Sequence, residues 1–164
     1  MTTPTQPLRN EHAHLLPHIE RIGAVGDAIG TAPIEDVRKG VEEVHDFLVH
    51  HLIPHADAED RVLYPAVAKV MGAPQATATM SRDHVEVGRL TEELAALRAQ
   101  LDRGLNVALA GDLRRVLYGL SALVKVHFAK EEEVYLPILD AALTPEEAER
   151  LFEEMGEAEQ AKAS

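Results

Sequence analysis

Cysteine and tryptophan are absent from the 164-residue chain, and aromatic residues amount to only 4%. Without cysteine the chain cannot form disulfides, thiolate metal sites, iron–sulfur clusters or a cysteine nucleophile. The shortage of aromatic stacking surfaces and the formal net charge of −12 argue against nucleic-acid partners and against anionic membranes. Any metal ion that this chain binds must therefore be held by nitrogen and oxygen atoms.

Long apolar runs are also lacking. None approaches the roughly 20 residues that a membrane-spanning helix needs. Residues 1–16 lack the basic and apolar regions of a secretory signal. We therefore expect a cytoplasmic protein without membrane or nucleic-acid partners. Hydrophobic residues make up 46% of the sequence, which is enough for one core in a chain of about one domain's length.

The apolar residues that are present recur at the spacing of an α-helix, as in Leu15, Ile19 and Ile22. Glycine and proline interrupt this pattern at a few places and so divide the chain into elements. Four long helices are predicted, at roughly residues 7–30, 33–70, 80–102 and 107–142, with no strands. Because the connections are short, the sequence predicts an all-α, up-down-up-down four-helix bundle.

A short fifth helix is predicted to follow the bundle. Thr144 as N-cap, Pro145 at the first helical position and Glu147 at the third form a typical helix start. Its apolar residues are expected either to cap the bundle or to take part in a dimer contact, and the chain from Gly156 onward is expected to fray. The predicted organisation is thus a bundle over residues 1–143 and a C-terminal helix and tail over residues 144–164.

The sequence contains an internal repeat of a helix pair. Shifting the chain by 72 positions superposes its distinctive residues without a gap. The apolar frame moves with them, for example from Val62 to Val134. The superposed pairs are His12 with His84, His55 with His127, Glu59 with Glu131 and Pro65 with Pro137. The bundle is therefore predicted to consist of two copies of one helix pair that carry the same chemical groups.

The repeated histidine and glutamate residues are predicted to face the core. Glu59 follows His55 by four residues, about 40° around a helix, and Glu131 follows His127 in the same way. An ionised glutamate beside a histidine in a core is costly unless a cation compensates its charge. The predicted ligands of a pair of first-row metal ions are His12, His55, Glu59, His84, His127 and Glu131.

Other polar residues receive different predictions. His51 lies one turn before His55 and is expected to face inward as a possible extra ligand, while His18 lies at the edge of the core stripe. Asp60 and the glutamates after Glu131 are expected to be solvated surface charges. If the site needs a further nitrogen ligand, the sequence therefore points first to His51 and then to His18.

Together these motifs resemble the hemerythrin-like HHE cation-binding domain, over about residues 8–142, and most closely the bacterial single-domain members found in actinobacteria. The resemblance implies a non-haem di-iron centre whose two irons are bridged by Glu59 and Glu131 and by an oxo or hydroxo group. The four repeated histidines would then be the nitrogen ligands. The segments that carry the resemblance are Glu11-His12, His55-Ala-Asp-Ala-Glu59, Leu63-Tyr64-Pro65, Asp83-His84, His127-Phe-Ala-Lys-Glu131 and Tyr135-Leu136-Pro137.

The sequence departs from the invertebrate oxygen carriers of this family at one informative position. Those proteins have a histidine four residues after the one on the third helix, where this chain has Gly88. They also carry a more widely spaced aspartate on the last helix, where this chain has Glu131. A more open coordination favours reaction with oxygen or peroxide over reversible carriage.

We therefore expect a di-iron protein that reacts with small oxidants, with catalase-like disproportionation of hydrogen peroxide, a protection against oxidative stress, as the specific hypothesis. Three alternatives stay open: reversible binding or sensing of oxygen or nitric oxide, an iron-binding module without catalysis, and a metal-free helical interaction bundle. Nitrogen and oxygen ligands also serve manganese and zinc, so the prediction of iron depends on the resemblance. The expected partners are small molecules, and the expected oligomeric state is a monomer or a homodimer.

Overall fold

The computed structural model describes residues 3–163, which form helices and connecting turns and contain no strand. Met1, Thr2 and Ser164, at the ends of the two predicted segments, lie outside the described residues. The α-helices are α1 (Gln6–Ala28), α2 (Ile34–Phe47), α3 (Ile53–Ala58), α4 (Tyr64–Met71), α5 (Ala78–Leu101), α6 (Val107–Lys130), α7 (Leu136–Ala142) and α8 (Pro145–Ala163). Three π-helical turns, Leu48–Leu52, Glu59–Leu63 and Glu131–Tyr135, join α2 to α3, α3 to α4 and α6 to α7.

These elements form four long rods and a fifth helix. Rod 1 is α1, rod 2 runs from α2 through α4, rod 3 is α5, and rod 4 comprises α6 and α7. Each rod packs against the next, and rod 4 packs back against rod 1, so the four close into a bundle. The turn between rods 2 and 3 begins at Gly72, whose φ of 63° is the left-handed conformation that commonly ends a helix. The predicted four-helix bundle is confirmed.

Each π-helical turn ends two residues before a proline, namely Pro54, Pro65 or Pro137. Proline lacks an amide proton and its ring crowds the preceding turn of an α-helix. The backbone widens there instead, so that the amide of Tyr64 donates to the carbonyl of Glu59 and the amide of Leu136 donates to that of Glu131, each five residues earlier. The two widened turns at the glutamates are thus copies of each other within the 72-residue repeat.

The widened turn in rod 4 corrects one detail of the predicted core. Val134, expected on the inward face, is 49% exposed, whereas Leu136 is fully buried. A uniform α-helix advances about 100° per residue, but the extra residue in a π-helical turn shifts the phase of all that follows. The apolar stripe therefore continues from Leu136 and not from Val134.

Two apolar clusters fill the bundle, one toward each end. The larger cluster contains residues such as Ile22, Leu94 and Leu120, and the smaller contains Leu63 and Met80. In rod 2, His55 and Glu59 lie between the last residue of the larger cluster and the first bulky residue of the smaller one. His12 in rod 1, His84 in rod 3 and Glu131 in rod 4 also lie between the two clusters, and His127 directly precedes Phe128 at the end of the larger one. The predicted ligands therefore form a polar layer between two apolar regions.

The fifth helix, α8, covers the bundle near this polar layer. Thr144 and Glu147 cap it reciprocally, each side chain accepting a hydrogen bond from the other residue's amide. Met155 is 2% exposed and belongs to the smaller apolar cluster. The expectation that the chain frays from Gly156 is wrong, because the helix continues to Ala163 and packs against α3 and the turn after it.

Among the described helices, none combines the length and the apolar character required to cross a membrane.

Candidate metal centre

The first half of the polar layer brings together side chains from rods 1, 2 and 4. Nε2 of His55 lies 2.9 Å from Oε1 of Glu59, and Nε2 of His12 lies 3.7 Å from the same oxygen. Nε2 of His12 also lies 3.3 Å from Oε2 of Glu131. We call the space between these four side chains position 1.

The second half repeats this arrangement with rods 2, 3 and 4. Nε2 of His84 lies 3.2 Å from Oε2 of Glu59, and Nε2 of His127 lies 3.8 Å from that oxygen and 3.4 Å from Oε1 of Glu131. The two imidazoles approach each other, with 3.0 Å between their Nε2 atoms. This space is position 2. Each glutamate therefore turns one oxygen toward each position, as a pair of bridging carboxylates would.

The unpaired atoms of this layer fit two cations. In the described part of the chain, five buried atoms of these residues have no hydrogen-bond partner: Nε2 of His12, Nε2 of His55, both carboxylate oxygens of Glu59, and Oε2 of Glu131. A buried polar atom without a partner is costly, and buried charges are usually paired or bound to metal. His12, His55 and Glu59 can share one ion, and Glu59, His84 and His127 another, since the donor atoms of each group lie within 4.8 Å of one another.

The outer nitrogen of every one of the four imidazoles meets a carboxylate. Nδ1 of His127 lies 2.9 Å from Asp83, and Nδ1 of His55 lies 3.0 Å from Glu11, so this pairing is repeated after 72 residues. Carboxylates in this place fix the ring orientation of a metal-binding histidine and make its other nitrogen a better ligand.

Two of these carboxylates correct the sequence-based interpretation. Asp60 and Glu132, expected to be surface charges, lie 2.9 Å from Nδ1 of His84 and 2.8 Å from Nδ1 of His12. Their side chains are only 33% and 29% exposed. They are again 72 residues apart, so the repeat that identified the histidines could also have identified them.

The charges of this layer are strongly coupled. Burial would raise the pKa of Glu59, yet the imidazoles around it, with His55 first, hold that pKa well below its ordinary value. Burial would lower the pKa of His127, yet hydrogen bonds and charge from Glu131 and Glu59 raise it to about 10. The buried carboxylates thus favour protonation of the imidazoles in the metal-free protein. Bound cations would compete with these protons for the same nitrogen atoms.

Tyr64 is a member of the site that the sequence reasoning did not single out. Its hydroxyl donates to Oε1 of Glu131 at 2.7 Å and lies 3.0 Å from Nε2 of His127, so it borders position 2. Burial and the nearby carboxylates raise the pKa of this hydroxyl, which is therefore neutral in the metal-free protein. Residues five apart on a uniform α-helix differ by about 140°, but the widened turn before Pro65 brings Tyr64 back over Glu59. In the sequence, the Tyr64-Pro65 dipeptide was the signal that could have identified this residue.

The structure does not place either additional histidine candidate in the site. His51 and His18 are both exposed, and each ring packs against Phe47, at centroid distances of 6.1 Å and 4.8 Å. The inward position one turn before His55 is occupied by Leu52, which is 3% exposed, so His51 falls on the outer edge of rod 2. These residues therefore do not supply the nitrogen that is missing at Gly88, and the hydroxyl of Tyr64 borders position 2 instead.

Little space remains beside the two positions. A cavity of about 10 Å³ lies among them, with Leu52, Val87 and Val124 as apolar walls and Phe128 on one side. This volume suffices for about one water-sized molecule. Phe128 also forms part of an open surface groove of about 360 Å³ between rods 1 and 4, so it separates the cavity from solvent. The enclosed space beside the two positions is therefore very small.

Comparison with known proteins agrees with this geometry. No curated protein and no solved structure matches the chain significantly, so its predicted actinobacterial placement stays a prediction. A family model does match, the hemerythrin HHE cation binding domain, and the match extends over residues 3–139. Because this span includes all four rods up to α7 and every side chain that lines positions 1 and 2, the chain belongs to the hemerythrin HHE cation-binding domain family.

Proposed function

We propose that this protein is a non-haem di-iron protein that disproportionates hydrogen peroxide. In this reaction one peroxide loses two electrons and two protons to become oxygen, and a second takes them up to become two waters. Two irons would supply the change of oxidation state that stores the electrons between the two half-reactions. The observation that carries the proposal is the paired arrangement of the site. Glu59 and Glu131 each turn one carboxylate oxygen toward one histidine pair and the other oxygen toward the second pair.

The residues of this chain would divide the work as follows. His12 and His55 would hold one iron and His84 and His127 the other, with Tyr64 as an additional oxygen donor to the second. The carboxylates on the outer nitrogens keep each Nε2 directed inward. These contacts preorganise the site, so that little rearrangement accompanies binding of the metals.

The surroundings of the site explain why the substrate would be a small oxidant. The cavity of about 10 Å³ excludes organic substrates, and its apolar walls keep bulk water away from the reacting centre. Phe128, 7% exposed, stacks on the ring of His12 at a centroid distance of 4.2 Å and closes the site toward the surface groove. Phe128 lines both the cavity and that groove, so a small molecule could pass between them beside its ring.

The proposal is tested by metal content and by peroxide consumption of the same preparations. Wild-type protein without an affinity tag is expected to contain two irons per chain and to consume peroxide much faster than free iron. Glu59→Ala and Glu131→Ala should lose most of the metal, because each removes a carboxylate shared by both positions. Glu133→Ala, two residues from Glu131 but exposed, is the matched control and should behave as wild type. Equal metal content in all four proteins would contradict the ligand assignment.

The same small apolar cavity also favours a second candidate, reversible binding or sensing of oxygen or nitric oxide. Both gases fit a space that accommodates about one water-sized molecule. Iron-loaded protein that binds either gas reversibly, while it consumes peroxide no faster than free iron, would support this alternative over disproportionation.

A further inference from the structure

The fifth helix, α8, reaches the metal centre although it lies outside the matched family region. Its Glu159 places Oε1 3.3 Å from Nδ1 of His55, where Glu11 already lies at 3.0 Å. His55 is 2% exposed, and the side chain of Glu159 is 26% exposed. Two carboxylates therefore face Nδ1 of His55. Among the described contacts, Nδ1 of each of the other three imidazoles faces one carboxylate.

The equivalent histidine in the other half of the repeat has the opposite environment. Nδ1 of His127 lies 2.9 Å from Asp83, and the ammonium group of Lys130 forms an ion pair with that same carboxylate. The position equivalent to Lys130 in rod 2 is Ala58, which is buried and carries no charge. His55 thus has a second carboxylate, that of Glu159, beside its Nδ1, whereas His127 has the ammonium group of Lys130 near its Nδ1.

Glu159 is held in place by contacts on both sides of it along α8. Met155, one turn earlier, is buried in the smaller apolar cluster, and Lys162, three residues later, forms an ion pair of 2.7 Å with Asp57. Residues at these spacings lie on one face of a helix, so the face that packs on α3 is also the face that presents Glu159. The contact with His55 is therefore built into the packing of α8.

We propose that Glu159 is a positioning residue that makes position 1 the stronger cation site of the two. It shares the Nδ1 proton of His55 with Glu11, which keeps Nε2 free to bind metal and fixes the plane of the ring. It also adds a negative charge close to position 1. The outer carboxylates there are Glu11, Glu132 and Glu159 with Arg9 paired to Glu132, whereas those at position 2 are Asp60 and Asp83 with Lys130 paired to Asp83, so position 1 keeps one negative charge more. This inference depends on the proposed two-metal centre, and it extends that centre to a helix that the family match does not include.

The test is a titration of metal-free, full-length protein with Co²⁺, followed by its absorption spectrum. Wild type is expected to bind two equivalents with different affinities. Glu159→Gln should weaken the tighter equivalent about 10-fold and leave the other unchanged. Glu157→Gln is the matched control, because it removes the same charge from an exposed position of the same helix and should change neither affinity.

Single-position backgrounds identify which equivalent is affected. In His84→Ala, which leaves position 1, Glu159→Gln should still lower the Co²⁺ affinity about 10-fold. In His12→Ala, which leaves position 2, it should have no effect. The melting temperature of metal-free Glu159→Gln should stay within a few degrees of wild type, as expected if α8 remains docked.

Three outcomes would overturn the inference. The first is unchanged affinity of both equivalents in Glu159→Gln, and the second is weakening of position 2 in the His12→Ala background. The third is equal weakening of both equivalents together with a lower melting temperature of the metal-free protein, which would mark a structural role for α8. If wild type itself does not bind two equivalents, the proposed metal centre fails, and this result is distinct from all three.

Discussion

The two halves of the candidate metal centre have the same candidate ligands and different surroundings. Around position 1, the ring of Phe128 stacks on His12 and Glu159 approaches His55. Around position 2, the hydroxyl of Tyr64 lies next to His127 and Lys130 neutralises Asp83. The repeat has thus kept the candidate ligands, while the groups around them have diverged. Two chemically identical ions would therefore behave differently at the two positions.

This divergence can be located at single positions of the repeat. Tyr64 corresponds to Leu136, and Phe128 corresponds to Ala56. At each of these two pairs of equivalent positions, one half has an aromatic side chain beside the site and the other half has a small or apolar residue. The comparison predicts that changes to shared groups affect both halves, whereas changes to the diverged groups affect one.

The largest expected effect is that of metal itself on stability. Binding to the folded state alone stabilises a protein by about 4 kcal/mol when the free ligand is 1,000 times Kd, which corresponds to about 10 °C for a chain of this length. We expect at least that increase in Tm, measured by calorimetry, when metal-free protein receives two equivalents of Co²⁺. His12→Ala and His84→Ala should each bind one equivalent and gain a smaller increase. A full wild-type increase in either variant would show that the halves do not each hold one ion.

The next effect distinguishes the halves by Tyr64. Tyr64→Phe removes a hydroxyl that borders position 2 only, so ferric-loaded wild type should show a visible phenolate-to-iron absorption band that the variant lacks. The variant should also bind Co²⁺ more weakly at position 2, by about 10-fold. Tyr118→Phe is the control, because the Tyr118 hydroxyl contacts Asp27 on the surface. An unchanged band in Tyr64→Phe would place Tyr64 outside the coordination of the metal.

The bundle and its six inward candidate ligands could be predicted from the sequence because both depend on periodicity. Helical spacing gives the buried face, and the 72-residue shift relates His12 to His84 and Glu59 to Glu131. Tyr64 escaped this reasoning because a uniform 100° rotation per residue fails at a π-helical turn, which only the proline after it indicates. The corresponding π-helical turn in rod 4, Glu131–Tyr135, explains why Val134 faces solvent.

Other features depend on tertiary contacts that no local pattern encodes. Glu159 lies 104 residues from His55, and its approach depends on how α8 docks against α3. Asp60 and Glu132 are charged residues beside inward glutamates, and helical angle alone assigns them to the surface. Their contacts with histidines of a neighbouring rod are tertiary, and the 72-residue spacing between them is the one sequence signal that points to these contacts.

A smaller effect concerns access past Phe128. Phe128→Leu keeps the position apolar and shortens the side chain that separates the surface groove from the cavity, at a cost in stability of about 1 kcal/mol. We expect a chelator to extract metal from the loaded variant several-fold faster than from wild type, measured by the rate of colour loss. Phe47→Leu alters a ring that is not part of the cavity lining, so it should lose metal to the chelator at the wild-type rate. Equal rates in all three proteins would show that metal and small molecules enter by another path.

The smallest effect is expected from Lys130, and it tests whether charge distinguishes the two halves. Its ammonium group pairs with Asp83, the carboxylate that holds His127, while the equivalent residue in rod 2 is Ala58. Because the Lys130 side chain is 35% exposed, Lys130→Met should cost the metal-free protein less than about 1 kcal/mol. Removing a positive charge near position 2 should nevertheless raise its Co²⁺ affinity several-fold, and so bring the two positions closer together. Lys39→Met removes the same charge from a distant, exposed site on α2 and should change neither affinity. If Lys130→Met left the gap between the two affinities unchanged, the positive charge of Lys130 would not contribute to the difference between the halves.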